Sequence, residues 1–350
     1  MKHSSKVMLG IGMSLGVVLQ ASAEDAEAEA VALPTLAAST EQVSVVGVSS
    51  GGYMAAQLAV AWPEHFQGLG IVAAGPWGCA QGALSLALNQ CMMTRRGLPE
   101  LDELESRRRD YLKRDQVGST EALGDLRVFT WHGQEDEVID PALGERLAEQ
   151  FLRWLDDPEQ LKATTSEEAG HGWPVNLTRS AATSPQDLAD CRQGGDSHVL
   201  ACDLELAQEM LDWLHPDAET AATDAPAEGE LVRFDQSDFD AKGLADEGYL
   251  YVPQGCAEGG CGVTLALHGC QMSHDQIGDT FIRHSGINRW ADRHQQLVLY
   301  PQATSSMANP QGCWDWWGFA ESSWQLNPLH DTRDGTQTGA LMQMLQRLQD

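Results

Sequence analysis

Positive charge is what this chain has least of. Its 350 residues carry 22 Lys and Arg against 51 Asp and Glu, a formal charge of −29 at pH 7. So acidic a surface repels the phosphates of nucleic acid and the headgroups of anionic membranes, and it excludes both as partners. A long apolar run is missing too. The best one, Val7 to Leu19, is too short to span a bilayer. It follows Lys2 and Lys6 and precedes Ala21-Ser22-Ala23, which together read as a secretory signal over residues 1–23. Loss of those two lysines takes the formal charge to −31, and the mature protein is expected to be soluble, and secreted or periplasmic. No paired C-x-x-C arrangement occurs and four of the eight cysteines lie far from any histidine, which argues against a zinc site. No internal repeat is evident.

The cysteines themselves are an even number in a chain bound for an oxidising compartment, so disulfides are expected. Eight cysteines allow 105 pairings. The short-range pairs Cys79 with Cys91, Cys191 with Cys202, and Cys256 with Cys261 are the simplest choices.

Chemistry enters at Gly47-Val48-Ser49-Ser50-Gly51-Gly52. The β-branched run Val43-Ser44-Val45-Val46 precedes it, and a helix-like stretch, Tyr53 to Ala61, follows until Trp62-Pro63. Strand, Gly-x-Ser-x-Gly and helix in succession make a nucleophile elbow, with Ser49 exposed on a strained turn. A serine hydroxyl needs a base, itself oriented by a carboxylate, and in α/β-hydrolases these follow in the chain order Ser, Asp or Glu, His. Asp136 lies in the loop after the predicted strand Leu126 to Trp131, with Glu135 and Asp140 as rivals. His171 lies between two glycines, ahead of Trp173-Pro174. His132 and His268 are its competitors, but each adjoins a strand-end glycine and reads as a turn residue. Ser50 should give one oxyanion amide. The other normally follows an earlier strand and a His-Gly pair, yet the matching Leu267-His268-Gly269-Cys270 comes about 220 residues after the serine.

Strand-like and helix-like segments alternate along the chain. Leu98 to Arg114, Ala142 to Leu155, Leu204 to Leu214, Arg283 to His294 and Thr336 to Leu348 read as helices. Val43, Gly68 to Gly75, Leu126, Tyr249, Gly262 and Leu297 mark strands, which predicts an α/β fold with a mostly parallel sheet. Glu24 to Thr40 reads as a mobile lead-in, and residues 217–230, rich in Ala, Asp, Glu, Thr and Pro, read as a linker. Circular permutation explains the misplaced His-Gly motif. The segments after the linker would precede the elbow strand in the usual topology, and residues 217–230 would join the old ends. One catalytic domain, 41–350, is expected, because the second half has no nucleophile of its own.

These motifs resemble the polyhydroxybutyrate (PHB) depolymerase family whose lipase box lies near the N-terminus, and the likeness covers most of the mature chain. Besides the elbow, it rests on Gly75-Pro76-Trp77-Gly78-Cys79, Trp131-His132-Gly133, Gly170-His171-Gly172-Trp173-Pro174, Leu267-His268-Gly269-Cys270, Leu299-Tyr300-Pro301-Gln302 and Cys313-Trp314-Asp315-Trp316-Trp317. The resemblance implies a permuted α/β-hydrolase without cofactor or metal, with Ser49, Asp136 and His171 as the triad. It also implies oxyanion amides at Ser50 and Cys270, a Cys270–Cys313 bridge, and substrate contacts at Asn309 and Trp314. Trp314 is expected in the crevice and Trp317 in the core. The implied substrate is an aliphatic polyester or hydroxyalkanoate oligomer. The alternatives are a feruloyl or acetyl esterase for plant polysaccharide, or a non-catalytic polymer-binding protein. Many family members carry a polymer-adsorbing domain after the catalytic one. The chain has none before Asp350, which bears on attack on crystalline polymer. The oligomeric state is not legible.

Overall fold

The computed structural model describes residues 30–176, 188–218, 228–321, 324 and 327–350. Up to residue 176 it forms β1 (Val31–Ala32), β2 (Val43–Val48), α1 (Ser50–Ala61), β3 (Gly68–Val72), the helices α2 (Leu84–Gln90), α3 (Leu101–Leu112) and α4 (Thr120–Gly124), then β4 (Arg127–Gly133), α5 (Pro141–Leu152), β5 (Leu161–Ser166) and β6 (Trp173–Asn176). After residue 188 come β7 (Ala189–Asp190), β8 (Val199–Cys202) and α6 (Leu206–Leu214). The last third supplies β9 (Glu230–Asp235), β10 (Glu247–Val252), β11 (Gly262–Leu267), α7 (His274–Ile277), α8 (Thr280–His284), α9 (Ile287–His294), β12 (Gln296–Tyr300) and α10 (Thr336–Gln349).

Nine strands share one sheet in the order β1-β9-β10-β12-β11-β2-β3-β4-β5, and β6-β8-β7 form a small second sheet. From β12 to β5 every pairing is parallel, and only β10 runs antiparallel to its neighbours. Strands from the far end of the chain therefore precede the elbow strand across the sheet, the α/β-hydrolase order in permuted form. The seam is the pairing of β11 with β2, Val263 opposite Val43 through Leu267 opposite Gly47. Residues on both sides of 217–230 meet there, although most of that segment lies outside the described residues, as do residues 1–23.

Burial on both faces explains the composition of the central strands. In β2, Val43 and Val45 join one core cluster and Val46 and Val48 the other, as a two-residue period requires. The first cluster packs under α1, α5 and α10, the second under α6 and α9. α1 is buried along its whole length, which is why it is so rich in alanine and so poor in charge. No helix among the described residues is long and apolar enough to cross a membrane.

Two expectations change. The single helix read near Arg283 to His294 is two, α8 and α9, because Gly286 takes φ 86° between them. The described part of the lead-in, residues 30–40, is docked and not loose. β1 pairs with β9, Leu33 and Ala38 are buried, and the Leu36 and Ala38 amides donate to Leu348 O at the end of α10. Residues 30–40 carry no acidic side chain, and Leu33, Leu36 and Ala38 supply the reason for the docking: they sit in or against the core.

Candidate active site

Ser49 sits between β2 and α1 with φ 56° and ψ −121°, a backbone state that costs a non-glycine residue roughly 1–3 kcal/mol. The chain holds it there from both sides. Its N–H donates to Val72 O at 2.8 Å, and its carbonyl accepts from Tyr53 N as α1 begins. The flanking glycines are steric necessities. A Cβ on Gly47 would lie 2.2 Å from Gly51 O, and one on Gly51 would lie 2.3 Å from Leu267 O and 2.4 Å from His268 O. Gly51 thus lets the elbow press against the end of β11. The Ser50 amide opens α1 and so has no acceptor inside the helix.

His171 and Asp136 converge on this serine from the ends of other strands. His171 Nε2 lies 2.9 Å from Ser49 Oγ, and His171 Nδ1 lies 2.7 Å from Asp136 Oδ2. With the carboxylate as acceptor, Nδ1 carries the proton and Nε2 is left to accept from the serine hydroxyl. Asp136 follows β4, where its Oδ1 accepts the Val138 and Ile139 amides, each at 2.8 Å. Burial alone would raise its pKa, but His171, by charge and hydrogen bond, and the His132 ring beside it drive it far below the ordinary carboxylate range. Ser49 is 7 % and His171 6 % exposed, at the edge of solvent, whereas the Asp136 side chain is wholly buried behind them.

The loop bearing His171 leans on the small sheet. Gly170 N donates to Cys191 O at 2.8 Å, Trp173 N donates to His198 O at 2.8 Å, and the Cys191–Cys202 disulfide fastens that segment to β8. The His198 ring stands edge-on to His171, centroids 5.9 Å apart, and burial followed by the neighbouring His171 lowers its pKa.

The other wall comes from the far end of the chain. A Cβ on Gly269 would lie 3.2 Å from Ser49 Cβ, so the His268-Gly269-Cys270 turn abuts the nucleophile. Ala303 N donates to His268 Nε2 at 3.1 Å, so the ring proton sits on Nδ1, which donates to Gly269 O at 2.7 Å. The peptide between Gly269 and Cys270 is planar and trans. Drawing its C=O to the imidazole therefore turns the Cys270 N–H the opposite way. Burial lowers the His268 pKa to about 4 and keeps the ring neutral. Cys270 is bonded to Cys313, and the short-range pairs Cys79–Cys91, Cys191–Cys202 and Cys256–Cys261 complete the disulfides.

Asn309 and Trp314, expected to contact substrate, are both buried, close behind the His268-Gly269-Cys270 turn. Asn309 is 1 % exposed, and its amide group clamps the backbone of Cys313 through both N–H and C=O. Trp314 has no exposed surface, and its indole N–H donates to His268 O at 3.0 Å. Trp317, expected in the core, is the half-buried one of the pair. The reason is a polar tip: Trp314 gains a buried carbonyl partner, whereas Trp317 lies against Trp316 and Phe319 at the rim.

Other residues of the site were not legible as such. Gln57, the one amide side chain in α1, donates to Asp315 O and His330 O and so anchors the aromatic loop from below. Tyr53 stacks on Trp316 at 4.4 Å between centroids. His132, read as a turn residue, lies on the Asp136 carboxylate, Nε2 to Oδ2 3.2 Å. The spacing of four between them, His-Gly-x-x-Asp, is a signal that could have raised this contact.

Comparison with known proteins bears on the same segments. Residues 247–324 match the family described as Esterase PHB depolymerase. A polyhydroxybutyrate depolymerase of Talaromyces funiculosus is 33% identical over 313 residues, covering 85% of this chain and 88% of the relative. A poly(3-hydroxybutyrate) depolymerase of Delftia acidovorans is 29% identical over 325 residues. That match covers 91% of this chain but only 62% of the relative. The crystal structure of PHB depolymerase from Penicillium funiculosum superimposes with a TM-score of 0.80 at 30% identity, covering 91% of this chain and 98% of that one. A PHB depolymerase variant complexed with an R3HB trimer superimposes with a TM-score of 0.79.

Proposed function

The chain belongs to the polyhydroxybutyrate depolymerase family, and from that premise we propose that it hydrolyses ester bonds of poly(3-hydroxybutyrate) or its oligomers. One observation carries the reading. Ser49, His171 and Asp136 form an unbroken hydrogen-bonded relay at an elbow whose strained serine abuts a His-Gly turn. Ser49 Oγ attacks the ester carbonyl as its proton passes to His171 Nε2, and Asp136 steadies the imidazolium. The Ser50 and Cys270 amides receive the oxyanion, His171 returns the proton to the departing alkoxide, and water repeats the cycle on the acyl-enzyme. Asn309 and Trp314 serve this site from beneath, by holding Cys313 and His268. The residues 41–350 act as one catalytic unit, in an extracellular or periplasmic setting where four disulfides persist.

The test is a turbid suspension of the polymer and a fluorophosphonate. The wild-type protein clears the suspension and is labelled once, at Ser49. Ser49→Ala does neither while keeping its circular dichroism. Clearing by Ser49→Ala, or methyl ferulate cleaved far faster than hydroxybutyrate oligomers, defeats the proposal. Adsorption to polymer without any labelling defeats it as well.

A further inference from the structure

His132 closes β4, and its ring is buried between the loop that carries Asp136 and the first turn of α5. Nε2 lies 3.2 Å from Asp136 Oδ2 and 3.0 Å from Ile139 O. Both are acceptors, so Nε2 must carry a proton. Nδ1 has no hydrogen-bond partner, and it faces α5 at Gly144, where a Cβ would stand 2.5 Å from it. A proton on Nδ1 would be buried without an acceptor, which costs about 1–3 kcal/mol. The surroundings therefore select the neutral ring with its proton on Nε2, a fixed donor. Three hydrogen bonds reach the Asp136 carboxylate, from the Val138 and Ile139 amides to Oδ1 and from His171 to Oδ2, and the His132 Nε2–H, bonded to Ile139 O, also lies 3.2 Å from Oδ2.

We propose that His132 is a positioning residue of the active site, donating from Nε2 to fix the Asp136 carboxylate and to withhold part of its charge from His171. This rests on the Ser49-His171-Asp136 reading. Held by Ile139 O and 3.2 Å from Oδ2, the His132 N–H presents a fixed positive dipole to the carboxylate when His171 turns to the substrate. Sharing also weakens the pull of Asp136 on a His171 proton. The other titratable and charged groups facing this triangle are Ser49, His198 with Asp196 behind it, Tyr53 on α1, and the exposed Glu135–Arg192 pair.

The experiment compares His132→Met, which fills the site without a donor, with His132→Gln, whose amide can place an N–H near the position of Nε2. The readout is the rate of fluorophosphonate labelling of Ser49 against pH, which needs no knowledge of the natural substrate. His132→Met should label about ten- to a hundred-fold more slowly at pH 8, with the acid limb of the profile moved up by about half a pH unit. His132→Gln should come within about threefold of wild type, with its limb restored. Wild-type rates in both variants overturn the proposal, and so do equal losses in both with an unmoved limb. Nitrogen-15 NMR of the wild-type chain keeps the question open to refutation if the variants misfold. The His132 ring must show its proton on Nε2 at pH 8, and a proton on Nδ1 refutes the assignment. Failure of wild-type Ser49 to label at all would instead strike the underlying reading of the site.

Discussion

Two walls meet at Ser49, and they are built from different materials. The wall with Asp136 and His171 is made of side chains: imidazoles, a carboxylate and the hydrogen bonds between them. The wall with Cys270 offers a backbone amide, aimed by a neutral histidine and tethered by a disulfide. In the proposed mechanism the first wall moves the proton, and the second offers only fixed backbone dipoles to the oxyanion. Each nonetheless uses a buried histidine in a fixed tautomer, His132 on one side and His268 on the other, to point something else.

Removing a charge from the first wall should have the largest effect. Asp136→Asn is expected to lower kcat by about 10⁴-fold, since the amide no longer selects the Nδ1–H tautomer of His171. Steady-state hydrolysis of a soluble butyrate ester measures it. An Asp136→Asn enzyme within tenfold of wild type would erase the distinction between the walls.

Opening the second wall is expected to cost less. Replacing Cys270 and Cys313 together by serine should lower kcat by roughly 10²-fold, the scale of one misplaced oxyanion donor, and stability by about 2–4 kcal/mol. The pH profile of kcat should keep its shape, because nothing that titrates has been touched. A shifted profile would show that the backbone wall also sets His171.

Stability should divide by pH window along the same line. His268 is held neutral by burial, with its pKa lowered to about 4. A histidine whose folded pKa lies below its unfolded value, ~6.5, binds fewer protons when folded, so stability falls as pH drops from there towards 4. His215, also lowered to about 4 by burial and then by His294, adds to the same window. Asp136 acts lower down. Its folded pKa is depressed, so its contribution is complete above the unfolded carboxylate value of ~4 and is lost as pH falls below it. Urea midpoints from pH 7 to pH 3 should show His268→Gln flattening the upper window and Asp136→Asn the lower one. Swapped windows would reverse the assignment.

The smallest effect is reserved for Arg192, whose ion pair with Glu135 spans the first wall at the surface. Arg192→Ala should change stability by under about 1 kcal/mol and leave kcat within twofold, because an exposed pair is screened by solvent. A larger loss would mean that the first wall depends on its rim.

What could be read without coordinates is what the chain states locally. Ser49 announces itself by strand, turn and helix, and Asp136 and His171 by their order after it. His268-Gly269 was legible as a motif out of place, and the place told the sheet order. The short-range cysteine pairs needed only spacing. What could not be read depends on partners remote in sequence. Trp314 and Trp317 stand three residues apart in one motif, and only the carbonyl of His268 decides which is buried. Leu33, Leu36 and Ala38 follow an Ala/Glu-rich stretch with no periodicity to mark them, and only Leu348 O at the end of α10 and the core beside it fix their segment. His132 looked like a turn residue because its partner, Asp136, was already assigned to His171.

The seam between β2 and β11 has a consequence in time. Ser44 and Thr264, hydrogen-bonded across it, are 220 residues apart. During synthesis the nucleophile strand emerges early, and one of its two neighbours emerges hundreds of residues later. The middle of the sheet therefore closes late, after a long loop has been spanned. Until then the elbow lacks the β11 carbonyls against which Gly51 packs, and Cys270 lacks nothing but its place. A chain of this design completes the surroundings of its elbow only once β11 has docked beside β2.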